Sequence, residues 1–268
     1  MTTYTILGSK GFIGSHLARS IREKSISCYC PGRDEKLPEK GLGHIVYCIG
    51  LTADFRTRPY DTVDAHVCTL LDVIRNHDFD SLIYLSSARV YQGNCNPCTE
   101  ESTIQANPLD ANDLYNISKI MGEAVCFASG KKVRVVRLSN VYGDDFMSEN
   151  FLSSVIRDAV VKRKVVLNTS LDSEKDYISI HDVVDILPRI AEKGQFSLYN
   201  VASGRNTSNS DIMKKLQDLT HCEIMVNPSA KKVCHPRISI EKIRKEFSFS
   251  PSSLLDDLQK IIIQFSGT

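Results

Sequence analysis

The chain has 268 residues, enough for one large domain or for one domain with a smaller appendage. It is 42% hydrophobic and 24% charged with a net charge of +1, an ordinary globular composition that points to neither nucleic acid nor an anionic membrane surface as a partner. No apolar run is long enough to span a bilayer, Met-Thr-Thr-Tyr lacks the features of a secretory leader, and nine scattered cysteines suit reduced thiols in a cytoplasm better than a disulfide framework.

The first apolar run, Tyr4-Thr5-Ile6-Leu7, reads as a buried strand, and Ile13 to Ile21 has the apolar spacing of a helix. Between them stands Gly8-Ser9-Lys10-Gly11-Phe12-Ile13-Gly14. In that context glycines let the backbone approach a pyrophosphate, and the helix N-terminus offers it unpaired N–H groups. Gly8, Gly11, Phe12, Ile13 and Gly14 are therefore candidates for holding a dinucleotide. The alternative is an ordinary glycine-rich turn.

Further strands are predicted near 26–30, 44–49, 81–86 and 133–138, with helices near 60–77 and 114–128. This alternation argues for an α/β fold, a doubly wound parallel sheet with helices on both faces. Only thirteen residues, Pro31 to Gly43, separate the second strand from the third, so one strand of the usual set is expected to be missing. The second half is less regular. It suggests helices near 151–163, 181–191 and 210–220, a strand near 198–201, and a helical stripe of Leu254, Leu255, Leu258, Ile261 and Ile262 that reads as packing. Residues 1–165 are expected to form the dinucleotide-binding part, with a strand within 176–201 returning to it, and residues 166–268 a small, mainly substrate-binding part. Cys95-Asn96-Pro97-Cys98 is a single CxxC without a second pair nearby, and no metal site is expected.

Tyr115 and Lys119 are four apart on a predicted helix, so phenol and ammonium share one face. A nearby ammonium favours the phenolate, and such a tyrosine can exchange a proton with a carbinol oxygen while hydride moves at its carbon. The alternative is a surface lysine beside a packing tyrosine. Leu85-Ser86-Ser87-Ala88-Arg89-Val90-Tyr91 ends a predicted strand of the same sheet, where ligands of such sheets sit. The Ser87 hydroxyl can orient the substrate oxygen there, unless it is simply a strand-end turn residue.

Taken together, these motifs resemble the extended short-chain dehydrogenase/reductases of the NAD-dependent epimerase/dehydratase family, which modify nucleotide-activated sugars. The family's GxxGxxG resembles Gly8, Gly11 and Gly14, its serine block Ser86 to Tyr91, its YxxxK Tyr115 and Lys119, and its R-x-x-N-V-Y-G Arg137 to Gly143. Lys175 to Asp182, Tyr199 to Gly204 and Arg237 to Pro251 are similar to three later motifs. The resemblance implies a Rossmann-type fold with Ser87, Tyr115 and Lys119 catalytic, and Tyr115 and Lys119 also contacting the cofactor. It implies Ser87, Asn140, Lys175 and Arg237 as substrate contacts, although Lys175 and Arg237 also read as surface charge.

Two departures matter. By spacing, Gly32 stands where NAD-binding members carry a carboxylate, and Arg33 follows it, which suits the 2′-phosphate of NADP; otherwise Arg33 is a solvated loop residue, and NAD remains an option. Ala88-Arg89 replaces the Asp-Glu pair of the sugar dehydratases, so elimination of water is not expected. His66 stands where the family commonly has Asn, with no role evident. The expected reaction is reduction of a 4-keto nucleotide sugar by NADPH. Nucleotide-sugar 4-epimerisation is the second reading, and a non-catalytic NADP-sensing regulator the third. The resemblance also raises a homodimer through the helix that holds Tyr115.

Overall fold

The computed structural model describes residues 2–52, 54–94 and 97–266, so Cys95 and Asn96 of the CxxC lie outside the described residues. The apolar run at the start forms β1 (Thr3–Leu7), and the chain turns through Gly8 into α1 (Phe12–Glu23). Gly8 has φ +83°, and a Cβ on Gly14 would lie 2.3 Å from the Gly8 carbonyl oxygen, so this turn is closed to any side chain at either position. β2 (Ser27–Tyr29) follows, and the segment 31–43 passes to β3 (His44–Tyr47) without a helix or strand.

Helix α2 (Pro59–Val63) runs through a π-helical turn, Asp64–Cys68, into α3 (Thr69–Asn76). Then come β4 (Ser81–Ser87), α4 (Leu114–Ala128), β5 (Val133–Leu138) and β6 (Asn140–Tyr142). Next, α5 (Phe151–Arg157) ends in a second π-helical turn, Asp158–Lys162. The remainder consists of β7 (Lys164–Thr169), β8 (Glu174–Ser179), α6 (Ile180–Lys193), β9 (Leu198–Val201), β10 (Asn206–Ser208), α7 (Asn209–Thr220), β11 (Glu223–Lys231), α8 (Glu241–Phe247) and α9 (Leu254–Ser266).

Among the described residues, six parallel strands form the main sheet in the order β2-β1-β3-β4-β5-β9. β2 is an edge strand, and the further strand that a doubly wound sheet places beyond it does not form, because the short 31–43 loop returns directly to β3. Strand periodicity sorts the core. Ile83, Leu85, Val136 and Leu138 pack with α1 and α6 on one face, while Leu82, Tyr84, Val133 and Val135 pack with α3 and α4 on the other. A separate apolar cluster joins α5, β7, α7 and α9 through Leu152, Leu167, Ile212, Leu216 and Leu258. The smaller sheets, β10-β8-β6 and β11-β7, lie in this second half.

One buried ion pair ties α4 to the sheet. The Arg137 guanidinium donates to both oxygens of Glu123, at 3.0 Å from Nε and 2.6 Å from Nη2. Ser86 donates to the same carboxylate at 2.6 Å, and Arg137 Nη1 reaches the Tyr91 hydroxyl at 2.7 Å. Every polar group in this dry region thus has a partner, which a buried pair requires if it is not to destabilise the fold. Among the described residues no helix is long and apolar enough to cross a membrane.

Candidate active site

Helix α4 buries Tyr115, Ser118, Lys119 and Glu123 on the face it turns to the sheet, as their spacing of three and four requires. Tyr115 thereby meets the carboxyl end of β4. There Ser87 accepts a hydrogen bond from the Arg89 backbone N–H at 3.2 Å and caps a short 3-10 turn, Ala88–Tyr91. Burial raises the pKa of the Tyr115 phenol, opposed by a hydrogen bond with Ser87 and by the charge of Arg89. The groups favouring the phenolate are thus Ser87 and Arg89, rather than Lys119 as the helix spacing suggests.

Lys119 is occupied differently. Its ammonium donates to the Leu85 carbonyl oxygen at 2.9 Å and lies 4.9 Å from the centre of the Tyr84 ring. Burial is the main force lowering its pKa, to about 7, against the opposing charge of Glu123. A lysine so placed is readily neutralised near neutral pH.

The π-helical turn brings His66 into the site, a residue for which the sequence suggested no role. It is fully buried, with its ring edge-on to Tyr115 at 5.3 Å between centres. The Leu51 backbone N–H donates to its Nε2 at 3.2 Å, so the proton resides on Nδ1, 2.8 Å from the Ser118 hydroxyl. That hydroxyl in turn donates to the Tyr115 carbonyl oxygen at 2.9 Å. Burial, and then the charge of Lys119, lowers the His66 pKa to about 3. The ring is therefore a neutral brace between α4 and the loop after β3, and the extra residue of a π-turn carries no periodic signal by which a sequence reveals it.

Ser87, Tyr115 and Lys119 open onto a cavity of about 760 Å³. Gly11, Phe12, Ile13 and Gly14 line it at the start of α1, Ser87, Tyr115 and Lys119 at the strand ends, and Asn140 and Lys175 beyond. Asn140 donates to the Asp176 carbonyl oxygen at 2.8 Å, and the Lys175 ammonium lies 5.4 Å from the Phe151 ring centre. Arg56 and His235, for which the sequence suggested no role, line the same cavity, as does Arg89, which the sequence marked only as the replacement of a carboxylate.

Three expected residues stand apart from this wall. Gly8 closes the turn from behind, its carbonyl oxygen accepting from the Gly11 N–H at 3.0 Å. Arg237 lines a neighbouring cavity of about 720 Å³ with Arg205 and Arg244; Ile238 belongs to both walls. Arg33 is exposed in the loop after β2. Beside it, Glu35 supplies a carboxylate that the motif spacing did not reveal, accepting from Tyr29 Oη at 2.6 Å and from the Gly32 N–H at 2.9 Å.

Solved structures share this architecture. A UDP-glucose 4-epimerase from Thermotoga maritima, solved with UDP-glucose, superimposes with a TM-score of 0.81 at 19% identity, over 99% of each chain. RMD from Pseudomonas aeruginosa, complexed with NADPH, gives a TM-score of 0.81 at 18% identity, over 100% of both chains. At such identities the likeness is one of fold. In sequence, a dTDP-D-glucose 4,6-dehydratase of Dictyostelium discoideum is 23% identical over 163 residues, 56% of this chain and 38% of that protein. The model of the NAD dependent epimerase/dehydratase family matches residues 4–202. This chain, with its glycine turn, serine-ended strand and buried Tyr115–Lys119 pair, belongs to the NAD dependent epimerase/dehydratase family, a family of enzymes.

Proposed function

We propose that the protein reduces the 4-keto group of a nucleotide-activated sugar, using NADPH. The observation that carries this reading is the convergence of Ser87, Tyr115 and Lys119 on a cavity whose other end is the glycine turn of α1. The residues fit a dinucleotide: Gly14 leaves no room for a Cβ, and the N-terminus of α1 faces the cavity with Gly11, Phe12 and Ile13. A bound nicotinamide supplies the hydride. Tyr115 delivers the proton to the developing alkoxide, Ser87 holds that oxygen in place, and Lys119 reaches the nicotinamide ribose.

The preference for NADPH rests on Arg33, exposed in the loop after β2, while Glu35 is already engaged by Tyr29 and Gly32. In this reading Asn140 and Lys175 contact the substrate diphosphate, and Arg237, across the shared wall at Ile238, its far end. Residues 166–268 supply most of the substrate side, residues 1–165 the dinucleotide side. A second copy of the chain packs on α4, where Met121 and Phe127 are 52% and 47% exposed.

The 4-epimerase is the competing reading, because it uses the same three residues. Incubation of a 4-keto nucleotide sugar with NADPH, and separately of a 4-hydroxy nucleotide sugar with oxidised dinucleotide, separates the two. A reductase consumes NADPH in step with product, read at 340 nm, whereas an epimerase interconverts 4-epimers with no net consumption. If Tyr115→Phe alters neither process, the catalytic reading fails and a sensing role replaces it.

A further inference from the structure

Ser87 and Tyr115 mark the reacting end of the cavity, and the side chain that crowds this end is Arg89. Its guanidinium carbon lies 5.3 Å from the centre of the Tyr115 ring and 5.0 Å from that of Phe55, and Nη2 donates to the Asn112 carbonyl oxygen at 3.1 Å. Two ring faces and one carbonyl thus fix the fork, while Asp110 and Asp113 act on it only through space. Three more basic side chains share this wall. The Arg56 guanidinium carbon is 4.4 Å from the other contact of the fork, the Phe55 ring centre, and Lys175 and His235 line the same cavity. Burial, and then the charge of Arg89, makes Lys175 easier to deprotonate; burial, then Lys175 and Arg89, does the same to His235. Of the two carboxylates that line the cavity, Asp176 is buried and accepts from the Ser203 and Arg205 N–H groups at 2.9 and 3.1 Å, and Asp145 belongs to the loop after β6.

Among the described residues none of Arg56, Arg89, Lys175 and His235 makes an ion pair with a carboxylate. Half-buried positive charge without a counter-charge is unfavourable, and a bound anion relieves it. On the reading proposed above, the diphosphate lies along Asn140 and Lys175. Arg89, which follows Ser87 by two residues and touches the catalytic phenol, then faces the sugar ring itself. A planar guanidinium accommodates a carboxylate with two parallel hydrogen bonds, whereas a neutral hexose offers only hydroxyls. We propose that Arg89 reads a carboxylate on the sugar, so that the substrate is a nucleotide-activated uronic acid rather than a neutral hexose.

The test rests on the proposed function and is arranged to separate the two. UDP, dTDP and GDP are titrated calorimetrically into the dinucleotide-loaded protein, and the glucuronic acid and glucose conjugates of the tightest binder are then compared. The wild type should bind the glucuronic acid conjugate at least about tenfold more tightly, the value of a charge-assisted hydrogen bond. Arg89→Gln should bring the ratio of the two dissociation constants close to one, and Arg89→Lys, which keeps charge but not the fork, should restore part of it. Thermal melts of both variants show that they fold. Equal affinity of the wild type for both conjugates overturns this proposal alone. So does an equal loss of affinity for the free nucleoside diphosphate and for its glucose and glucuronic acid conjugates in Arg89→Gln, which would assign Arg89 to the diphosphate. Failure of every nucleotide and conjugate to bind overturns the proposed function, and this proposal with it.

Discussion

Glu123→Ala should be among the most destabilising single changes in the chain. The carboxylate accepts three hydrogen bonds, two from Arg137 and one from Ser86, at 2.6 to 3.0 Å. The two charged side chains are only 5% and 3% exposed, so water cannot replace the lost partner. Truncation leaves a guanidinium and a hydroxyl unpaired in a dry site, which costs about 3–5 kcal/mol. The double change Glu123→Leu with Arg137→Met removes both charges. Its remaining cost is the Ser86 hydroxyl left without a partner, about 1–3 kcal/mol, because the Tyr91 hydroxyl still donates to Asn200 Oδ1 at 2.8 Å. Urea unfolding measures both, followed by circular dichroism and by tyrosine fluorescence, since the chain has ten tyrosines and no tryptophan. A loss below about 1 kcal/mol for the single variant, or a double variant no more stable than the single, would refute the view that an uncompensated buried charge dominates this site.

Four further outcomes follow from the geometry. Tyr115→Phe should lower kcat by roughly 10²- to 10⁴-fold while NADPH affinity, measured by fluorescence titration, changes little. Gly14→Ala should abolish dinucleotide binding in that same titration, because its Cβ would meet the Gly8 carbonyl oxygen at 2.3 Å; unchanged binding would contradict the turn geometry. The pKa of Lys119 is lowered from 10.5 to about 7 by burial, so between these values the unfolded chain binds the extra proton and stability rises with pH. Urea midpoints should show that rise in the wild type relative to Lys119→Met, and parallel pH profiles would count against it. Arg33→Ala should weaken NADPH far more than NADH, and equal losses would remove the basis for the NADPH preference.

Much of the fold was legible because its elements follow their own periodicity. β5 and α4 begin and end where the apolar pattern does, at Val133–Leu138 and Leu114–Ala128. The loop 31–43 was legible by length alone, since thirteen residues cannot hold a helix and another strand. In the second half the strand expected near 198–201 is β9, at Leu198–Val201, but the other strands were not legible. β11 exposes most of its residues and contains Pro228, and β8 opens with Glu174-Lys175-Asp176, so neither has a simple apolar alternation. In the site, Ser87, Tyr115 and Lys119 stood out because motif and element ends coincide. His66 did not, because the π-turn that aims it breaks the helical register. Arg89 was visible in the sequence as the replacement of a carboxylate, yet its contact with the Tyr115 and Phe55 rings emerges only once α4 and the loop after β3 are folded against β4.

The most direct test of the central claim is cofactor binding. Freshly purified protein is denatured, any released dinucleotide is identified, and the emptied protein is titrated with NADPH and NADH. The account predicts binding at the Gly11–Gly14 turn with NADPH held more tightly than NADH. Binding of neither dinucleotide would contradict it, and the catalytic roles assigned to Ser87, Tyr115 and Lys119 would fall with it.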